Sequence, residues 1–325
     1  MVYYARHIQY IDINLPKILD ARDTHYKFLR YIIKKKINGK FFKETPPIPN
    51  MNKINQVSGV KSSVVKFLNG ENNLRTVLIG TPEELDLIKS KFTSVGLKKS
   101  IKKLINYGSF INTDDDGTFR YFNAYDLAEK LDIPTCVYCN RIYTKTVINS
   151  SGKKITRPTF DHWFPKSHYP ILALSFYNLI PSCSICNSGV KGSLPFALST
   201  HFHPYYENPI ESFKYTFSYN HKDYNKFVFK ILFENDDVFT KKSIASFELE
   251  EIYKAHEDEI EDLRKIRDAY SESYLDMLES NILGISLDRE EVYRLAFGVH
   301  FQEAMYDRRP LSKMKKDILI ELGII

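Results

Sequence analysis

Residues 136–187 read CVYCNRIYTKTVINSSGKKITRPTFDHWFPKSHYPILALSFYNLIPSCSICN and contain all four cysteines of the chain. The cysteines form two C-x-x-C pairs, Cys136 with Cys139 and Cys183 with Cys186. Thiolates bind zinc tetrahedrally, and a two-residue spacer lets both sulfurs of a pair face one ion. The spacing therefore predicts one closed structural zinc site with a folded segment between its halves. Disulfide pairing is the weaker alternative, because we expect a cytosolic protein, and the cytosol keeps thiols reduced.

The composition is that of a folded protein with a basic centre. In 325 residues, 43% are hydrophobic and 14% aromatic, which is ample for a packed core. The formal net charge is +6, and residues 136–200 carry seven lysines and arginines against the single acid Asp161. This local excess equals the net charge of the whole chain, and such a basic field is typical of proteins that bind a polyanion. Ordinary scatter of charge is the plainer explanation.

The amino terminus and the hydropathy pattern predict a cytoplasmic protein with no membrane partner. The first residues, MVYYARHIQYIDINL, lack the unbroken apolar stretch of a secretory signal. No run in the chain approaches the roughly 18 apolar residues that a membrane helix needs.

The segment between the two cysteine pairs predicts two strands, RIYTKTVI and ITRPTF, joined by the turn NSSGKK, where Gly152 suits a hairpin. Asp161 and His162 stand side by side at the end of the second strand. A carboxylate is a hard metal ligand, and an imidazole can take a proton near neutral pH. Asn178 follows, and Asn187 adjoins Cys186, so a zinc ion at the cysteines would hold Asn187 rigidly.

This order of residues resembles the HNH, or ββα-metal, endonucleases, in particular their zinc-braced branch. The shared pattern is C-x-x-C, then D-H, then N, then C-x-x-C-N with a lysine four residues later, and it covers about 70 residues. The resemblance implies a central ββα-metal finger braced by a four-cysteine zinc site. The chain differs from the name-giving pattern in one place, since Asn187 stands where the second histidine is common.

The resemblance also implies a role for each residue of the pattern. Asp161 and Asn187 would hold a catalytic divalent ion, and their oxygen ligands suit Mg²⁺ or Mn²⁺. His162 would be the general base, and Asn178 would orient it through its loop backbone. Lys191 would contact phosphate. The other basic residues predicted to bind nucleic acid in this segment are Lys166, Arg157 and Arg141.

The expected fold class is α+β, mainly helical, in three regions. These are an N-terminal helical region (1–134), a nuclease core with the zinc knot (135–205), and a C-terminal hairpin followed by long helices (206–325). In the first region, capping signals predict a helix after Thr81, and further helices are expected at Ser100–Tyr107 and Asn123–Leu131. The lysine-rich YIIKKKINGK suggests a solvated helix face or a surface that contacts a nucleic-acid backbone.

The C-terminal region has two clear patterns. FKYTFSY and FVFKILF alternate aromatic or aliphatic with polar residues, which predicts a β-hairpin around the turn HKDYN. From Leu249 to Tyr274 apolar residues recur at helical spacing, which predicts one long amphipathic helix. Two shorter helices are expected, one capped by Asp288 and one after Pro310.

The sequence thus predicts a metal-dependent endonuclease acting on nucleic acid, most simply double-stranded DNA. Phrases such as FDHWFPKS and RPLSKMKKD resemble HNH nucleases of bacterial anti-phage defence, some of which act beside an ATPase subunit. Two alternatives stay open, an RNA-cleaving nuclease and a non-catalytic zinc-dependent module that binds nucleic acid. The roles of His168, His201 and His203 are undecided between the cleft and a packed loop.

Overall fold

A computed structural model describes residues 10–111, 119–206, 213–233, 238–270, 278 and 288–325. It is an α+β structure in which helices predominate and the strands form three separate two-stranded antiparallel sheets. The predicted fold class is confirmed at this level.

In its described residues, 10–111 and 119–134, the N-terminal region contains seven α-helices. The predicted capping of the fourth is confirmed, because the Thr81 hydroxyl accepts from the Glu84 amide while the Glu84 carboxylate accepts from the Thr81 amide. The helix predicted at Ser100–Tyr107 has different bounds in the structure. One helix begins earlier, at Val95, and ends at Leu104, and a separate short helix begins at Tyr107. In chain order the helices are α1 Pro16–Asn38, α2 Ser62–Asn69, α3 Glu71–Ile79, α4 Pro82–Ile88, α5 Val95–Leu104, α6 Tyr107–Ile111 and α7 Ala124–Leu131.

Three of the four lysines of YIIKKKINGK are not on a solvated face, whereas the fourth, Lys40, is exposed. Lys34, Lys35 and Lys36 lie in the last turns of α1 and are at most 8% exposed. The Lys34 ammonium donates to the Asn69 carbonyl, and the Lys35 ammonium donates to the Phe42 carbonyl. The Lys36 ammonium lies over the Phe119 ring. These contacts with neighbouring segments explain their burial, and both surface interpretations are wrong for these three lysines.

The middle region contains two small sheets instead of one continuous hairpin. Strands β1 (Val147–Ile148) and β2 (Lys154–Thr156) pair across the predicted turn, where Gly152 has a φ of 79°. Strand β3 (Thr159–His162) pairs with β4 (Leu179–Ser182), so that Asp161 lies opposite Ile180 and His162 opposite Leu179. A seven-residue π-helix, Ile185–Lys191, follows β4. The predicted strands RIYTKTVI and ITRPTF are therefore shorter than expected, and Asp161 belongs to a different sheet.

The C-terminal region contains the predicted β-hairpin, and helices follow it along the chain. Strands β5 (Phe213–Asn220) and β6 (Asp223–Phe233) pair with Tyr215 opposite Ile231. The predicted single helix from Leu249 is interrupted by a 3-10 turn at Lys254–His256, and its last predicted turn lies outside the described residues. The Asp288 cap is confirmed by its bond to the Glu291 amide. The helices are α8 Val238–Ser246, α9 Leu249–Tyr253, α10 Glu257–Tyr270, α11 Arg289–Phe297 and α12 Ser312–Glu321.

Both helical regions contact the middle region. Helix α1 contacts the loop between β3 and β4 through His25, whose Nε2 donates to the Leu174 carbonyl at 2.8 Å. The C-terminal region contacts the middle region at Asn140, whose carbonyl accepts from the Leu311 amide at 2.7 Å. In the part of the chain that the structure describes, no helix is long and apolar enough to span a bilayer.

His25 makes the stability of the fold depend on pH. Its side chain is fully buried, and burial lowers its pKa to about 4. The unfolded chain binds a proton below about pH 6.5 that the folded chain does not, so this histidine lowers stability as the pH falls. We expect His25→Phe to reduce the loss of unfolding free energy between pH 7.5 and pH 5 by about 2 kcal/mol, measured by urea denaturation.

His221 provides the matched control, because it is an exposed histidine at the turn of the β5–β6 hairpin. His221→Phe should leave the pH dependence of the wild type unchanged. An equal pH dependence for His25→Phe and the wild type would contradict the assignment.

Candidate functional site

The four cysteines converge on one buried point. Their Sγ atoms all lie within 4.8 Å of one another, and those of Cys139 and Cys183 are 4.0 Å apart. Four ligands arranged tetrahedrally about 2.3 Å from a zinc ion would be about 3.8 Å from one another. The spacing fits a shared ion and is far too long for a disulfide, whose sulfurs are about 2.05 Å apart. The predicted convergence of the two pairs is confirmed, and the cluster could hold zinc.

Both halves of the cysteine cluster are held by backbone geometry. Asn140, directly after Cys139, has a φ of 48°, and its amide donates to the Cys136 carbonyl at 2.8 Å. The Cys186 amide points at the Cys183 sulfur at 3.4 Å. The C-terminal region supports the first pair, because the Tyr253 hydroxyl donates to the Cys139 carbonyl. These contacts stabilise the two cysteine turns in the conformations that bring their sulfur atoms together.

Asp161 lies beside this cluster and is almost fully buried. Its Oδ2 accepts from the Tyr138 hydroxyl at 2.6 Å, and its Oδ1 lies 3.1 Å from the Lys191 ammonium. Tyr138 lies inside the first cysteine pair, so the carboxylate is positioned directly by the cysteine turn. Burial raises the pKa of Asp161, while Lys191 and the Tyr138 hydrogen bond act in the opposite direction.

His162 is held in one tautomer. Its Nε2 lies 3.0 Å from the Ala173 carbonyl, and a carbonyl only accepts, so the neutral ring carries its proton on Nε2 and its lone pair on Nδ1. Burial lowers the pKa of His162 to about 3, and the charges of Lys166 and Lys191 act in the same direction. The edge of the Tyr107 ring packs against it at 4.4 Å between centroids. His162 is thus neutral at pH 7.

Asn178 stabilises the loop that holds His162. Its side-chain oxygen accepts from the Phe164 amide at 2.7 Å, and its amide group donates to the carbonyls of Phe164 and Leu172. Leu172 precedes Ala173, the residue that accepts from His162. Asn178 therefore reaches the imidazole only through the loop backbone.

Asp161, His162 and Asn187 line a common cleft of about 460 Å³. Asn187 comes from the π-helix and is half-buried. The N-terminal region also contributes to the wall, through Lys102 of α5, Asn106 of the following link and Tyr107 at the start of α6. Sequence reasoning missed this part of the wall, and the signal that could have indicated it is the lysine-rich KKSIKKL of α5, which has no acid.

The basic residues predicted to bind nucleic acid occupy different environments. Lys166 is exposed and lines the cleft. Lys191 is only 1% exposed, and its ammonium donates to the His162 carbonyl at 2.8 Å besides pairing with Asp161. This position differs from the expected phosphate contact, because the Lys191 charge is already used inside the protein.

The two predicted arginines also have partners within the protein and do not line the cleft. Arg141 Nη1 contacts His256 Nε2 at 3.0 Å, on the side of the C-terminal helices. Arg157 donates to the Pro158 carbonyl at 2.7 Å and lies over the Tyr125 ring. These contacts use only part of each guanidinium's five N–H donors, so phosphate binding by Arg141 and Arg157 stays a prediction, at positions away from the cleft.

The three undecided histidines lie outside the cleft. His203 is buried 4.5 Å from the Trp163 ring, and burial lowers its pKa to about 3. His201 stacks on Phe196 at 4.1 Å, and His168 is exposed on the surface. HFHPYYEN is thus a packed loop where it is described.

The comparisons with known proteins give one partial relative. The chain is 34% identical over 79 residues to "Protein ea31" of Escherichia phage lambda. The match covers 22% of this chain and 27% of the phage protein, so the chain matches about a quarter of that relative's length. No protein-family model matches the chain, and no solved structure matches it.

Replacement of one cysteine should remove the structural ion and loosen the site. We expect purified protein to contain about one zinc per chain and Cys183→Ser to lose most of it, because three thiolates bind zinc less tightly than four and the metal-binding free energy contributes to folding. Metal analysis and thermal melting measure both effects.

Ser184→Ala is the matched control, since Ser184 is the exposed neighbour of Cys183. It should keep the zinc content and melting temperature of the wild type. A Cys183→Ser protein with full zinc content and an unchanged melting temperature would exclude a structural metal at this cluster.

Proposed function

We propose that this protein is a metal-dependent endonuclease of the HNH kind, which hydrolyses phosphodiester bonds and has DNA as its preferred substrate. One observation carries the proposal: Asp161, His162 and Asn187 line one cleft beside the cysteine cluster, although Asn187 lies on a separate element of the chain. A module that only binds nucleic acid does not need a neutral imidazole next to a buried carboxylate. The arrangement is the one expected of a hydrolytic site.

The local elements support assignment of a ββα-metal finger. Strand β3 carries Asp161 and His162, β4 returns antiparallel to it, and the π-helix carries Asn187. The cysteine pairs flank this unit, Cys139 before it and Cys183 at the junction of β4 and the helix. A structural zinc ion at the cysteines would hold the strand and the helix in register.

Asp161 and Asn187 would hold the catalytic divalent ion, and the donor atoms fit Mg²⁺ or Mn²⁺. A carboxylate has about four lone-pair sites, and the contacts with Tyr138 and Lys191 use two of those on Asp161. Hard oxygen ligands suit these two metals. When bound, such an ion neutralises charge on the scissile phosphate and on the leaving oxygen.

The protein's own residues then perform the proton transfer. His162 accepts a proton from water at Nδ1, its only free lone pair, while Nε2 stays bonded to the Ala173 carbonyl. The water oxygen forms a bond to phosphorus, the bond from phosphorus to the 3′ oxygen breaks, and that oxygen leaves with the electron pair and takes a proton from solvent. Asn178 keeps the loop and hence the imidazole in place.

The choice between DNA and RNA depends on the surface around the cleft, because both polymers share the phosphodiester. We favour double-stranded DNA on the resemblance described above. Action in anti-phage defence, beside an ATPase subunit, is a proposal that rests on the same resemblance.

Removal of the imidazole should abolish most of the activity. We expect the wild type to nick supercoiled plasmid with Mg²⁺ or Mn²⁺ and to be inactive in EDTA. His162→Ala should cut about 10²- to 10⁴-fold more slowly, since a positioned general base contributes that much. Plasmid, single-stranded DNA and tRNA are to be digested side by side, and the preferred polymer identifies the substrate.

The exposed His168, outside the cleft, provides the control for loss of a histidine. His168→Ala should retain wild-type rates, and both variants should retain zinc. Equal rates for His162→Ala and the wild type would disprove the assignment of the base. Absence of cleavage of all three polymers by the wild type in either metal would contradict the proposed function.

A further inference from the structure

Helix α5 brings a concentration of positive charge to the cleft. Its sequence, VGLKKSIKKL, contains Lys98, Lys99, Lys102 and Lys103 and no acid. Lysines four residues apart on a helix repel each other and destabilise the helix by a few tenths of a kcal/mol per pair. Such repulsion is relieved when the surface binds an anion.

The lysines of α5 divide between two sides. Lys102 is exposed and lines the cleft, whereas the ammonium of Lys103 turns away to the carbonyls of Ser58 and Gly59, at 3.0 and 3.1 Å. Lys98 donates to the Ser167 carbonyl at 3.4 Å and so joins α5 to the loop that follows β3. That loop carries Lys166, which also lines the cleft.

The charges facing the cleft do not cancel. Among the described residues that line it, which leave out 112–118, Asp161 is the only acid, and the buried Lys191 pairs with Asp161. Lys102 and Lys166 therefore add an excess of two positive charges next to His162. Lys166 lies 5.1 Å above the Tyr107 ring, which limits where its ammonium can go. Burial lowers the pKa of Lys166, and the Lys102 charge acts in the same direction.

We propose that Lys102 of α5 and Lys166 form a phosphate-binding wall, which holds backbone phosphates of the nucleic acid on either side of the bond that is cut. The inference rests on the proposed function and extends it, because it makes the N-terminal region part of the substrate site. The ligand is a run of linked phosphates, since two ammonium groups from separate elements face one open cleft. Contacts to phosphate carry no base sequence, so this wall fixes the position of the strand without selecting its sequence.

Binding is to be measured apart from cleavage. The His162→Ala protein keeps both lysines, and its affinity for a fluorescent 20-base-pair duplex is followed by anisotropy at several salt concentrations. Each lost phosphate contact lowers the slope of log Kd against log salt by about 0.9. Lys102→Ala and Lys166→Gln should each reduce the slope by about one, and the double variant by about two. Lys102→Glu should weaken binding further than Lys102→Ala.

Lys103→Ala is the matched control, as it removes the same charge from the next residue of the same helix. Its salt dependence should equal that of the parent, and all variants should keep the parent's zinc content and melting temperature. If Lys102→Ala and Lys166→Gln behave like Lys103→Ala, the phosphate-binding wall is disproved.

Two further outcomes separate the inference from the proposed function. Inorganic phosphate should compete with the duplex only at far higher concentration than an unlabelled oligonucleotide, and equal competition would overturn a site for linked phosphates. If the lysine variants reduce the salt slope but the wild-type protein cuts none of the three polymers, the phosphate-binding wall is upheld and the nuclease function is rejected.

Discussion

Four sulfur atoms drawn together from two turns, the first at Cys136–Cys139 and the second at Cys183–Cys186, determine where everything else in the middle region lies. The first turn contains Tyr138, whose hydroxyl binds Asp161. The second begins the π-helix, which carries Asn187 and Lys191. The amide of Asn187 and the ammonium of Lys191 therefore follow Cys186 within one helix, whereas the Asp161 carboxylate is distant in sequence from both pairs and is tied to the first through Tyr138. Their mutual positions depend on the cysteine cluster together with the pairing of β3, which carries Asp161 and His162, with β4.

The electrostatics of the site depend on Lys191. An isolated buried carboxylate is strongly disfavoured, and it persists as an anion only when a charge or several hydrogen-bond donors compensate it. Lys191 does so for Asp161 from the protein side, and its second bond to the His162 carbonyl ties the strand to the helix. The lysine of the C-x-x-C-N-x-x-x-K pattern thus has a structural and electrostatic position in this chain. The exposed cations that face the cleft are instead Lys102 and Lys166.

The sequence was informative where residue type and spacing are sufficient. The spacing of the cysteines predicted one shared centre, and the capping residues Thr81 and Asp288 predicted helix starts that the structure contains. It was uninformative where distant segments meet. The pairing of β3 with β4, the buried environment of Lys191 and the approach of α5 and Tyr107 to His162 depend on tertiary packing. Positive charge in a sequence likewise does not reveal whether a lysine is solvated, as the buried Lys34–Lys36 run demonstrates.

The π-helix restricts how the length of this part of the chain can vary. Its wide turn is closed by a bond from the Gly192 amide to the Asn187 carbonyl, five residues earlier, and Gly192 ends it with a φ of 50°. Deletion of one residue would convert this turn to an ordinary α-helical one and rotate Lys191 relative to Cys186. The Cys186 sulfur could then not join the other three sulfurs while the Lys191 ammonium contacts Asp161 and the His162 carbonyl. A change in the number of residues between Cys183 and Gly192 is therefore incompatible with the geometry of the site.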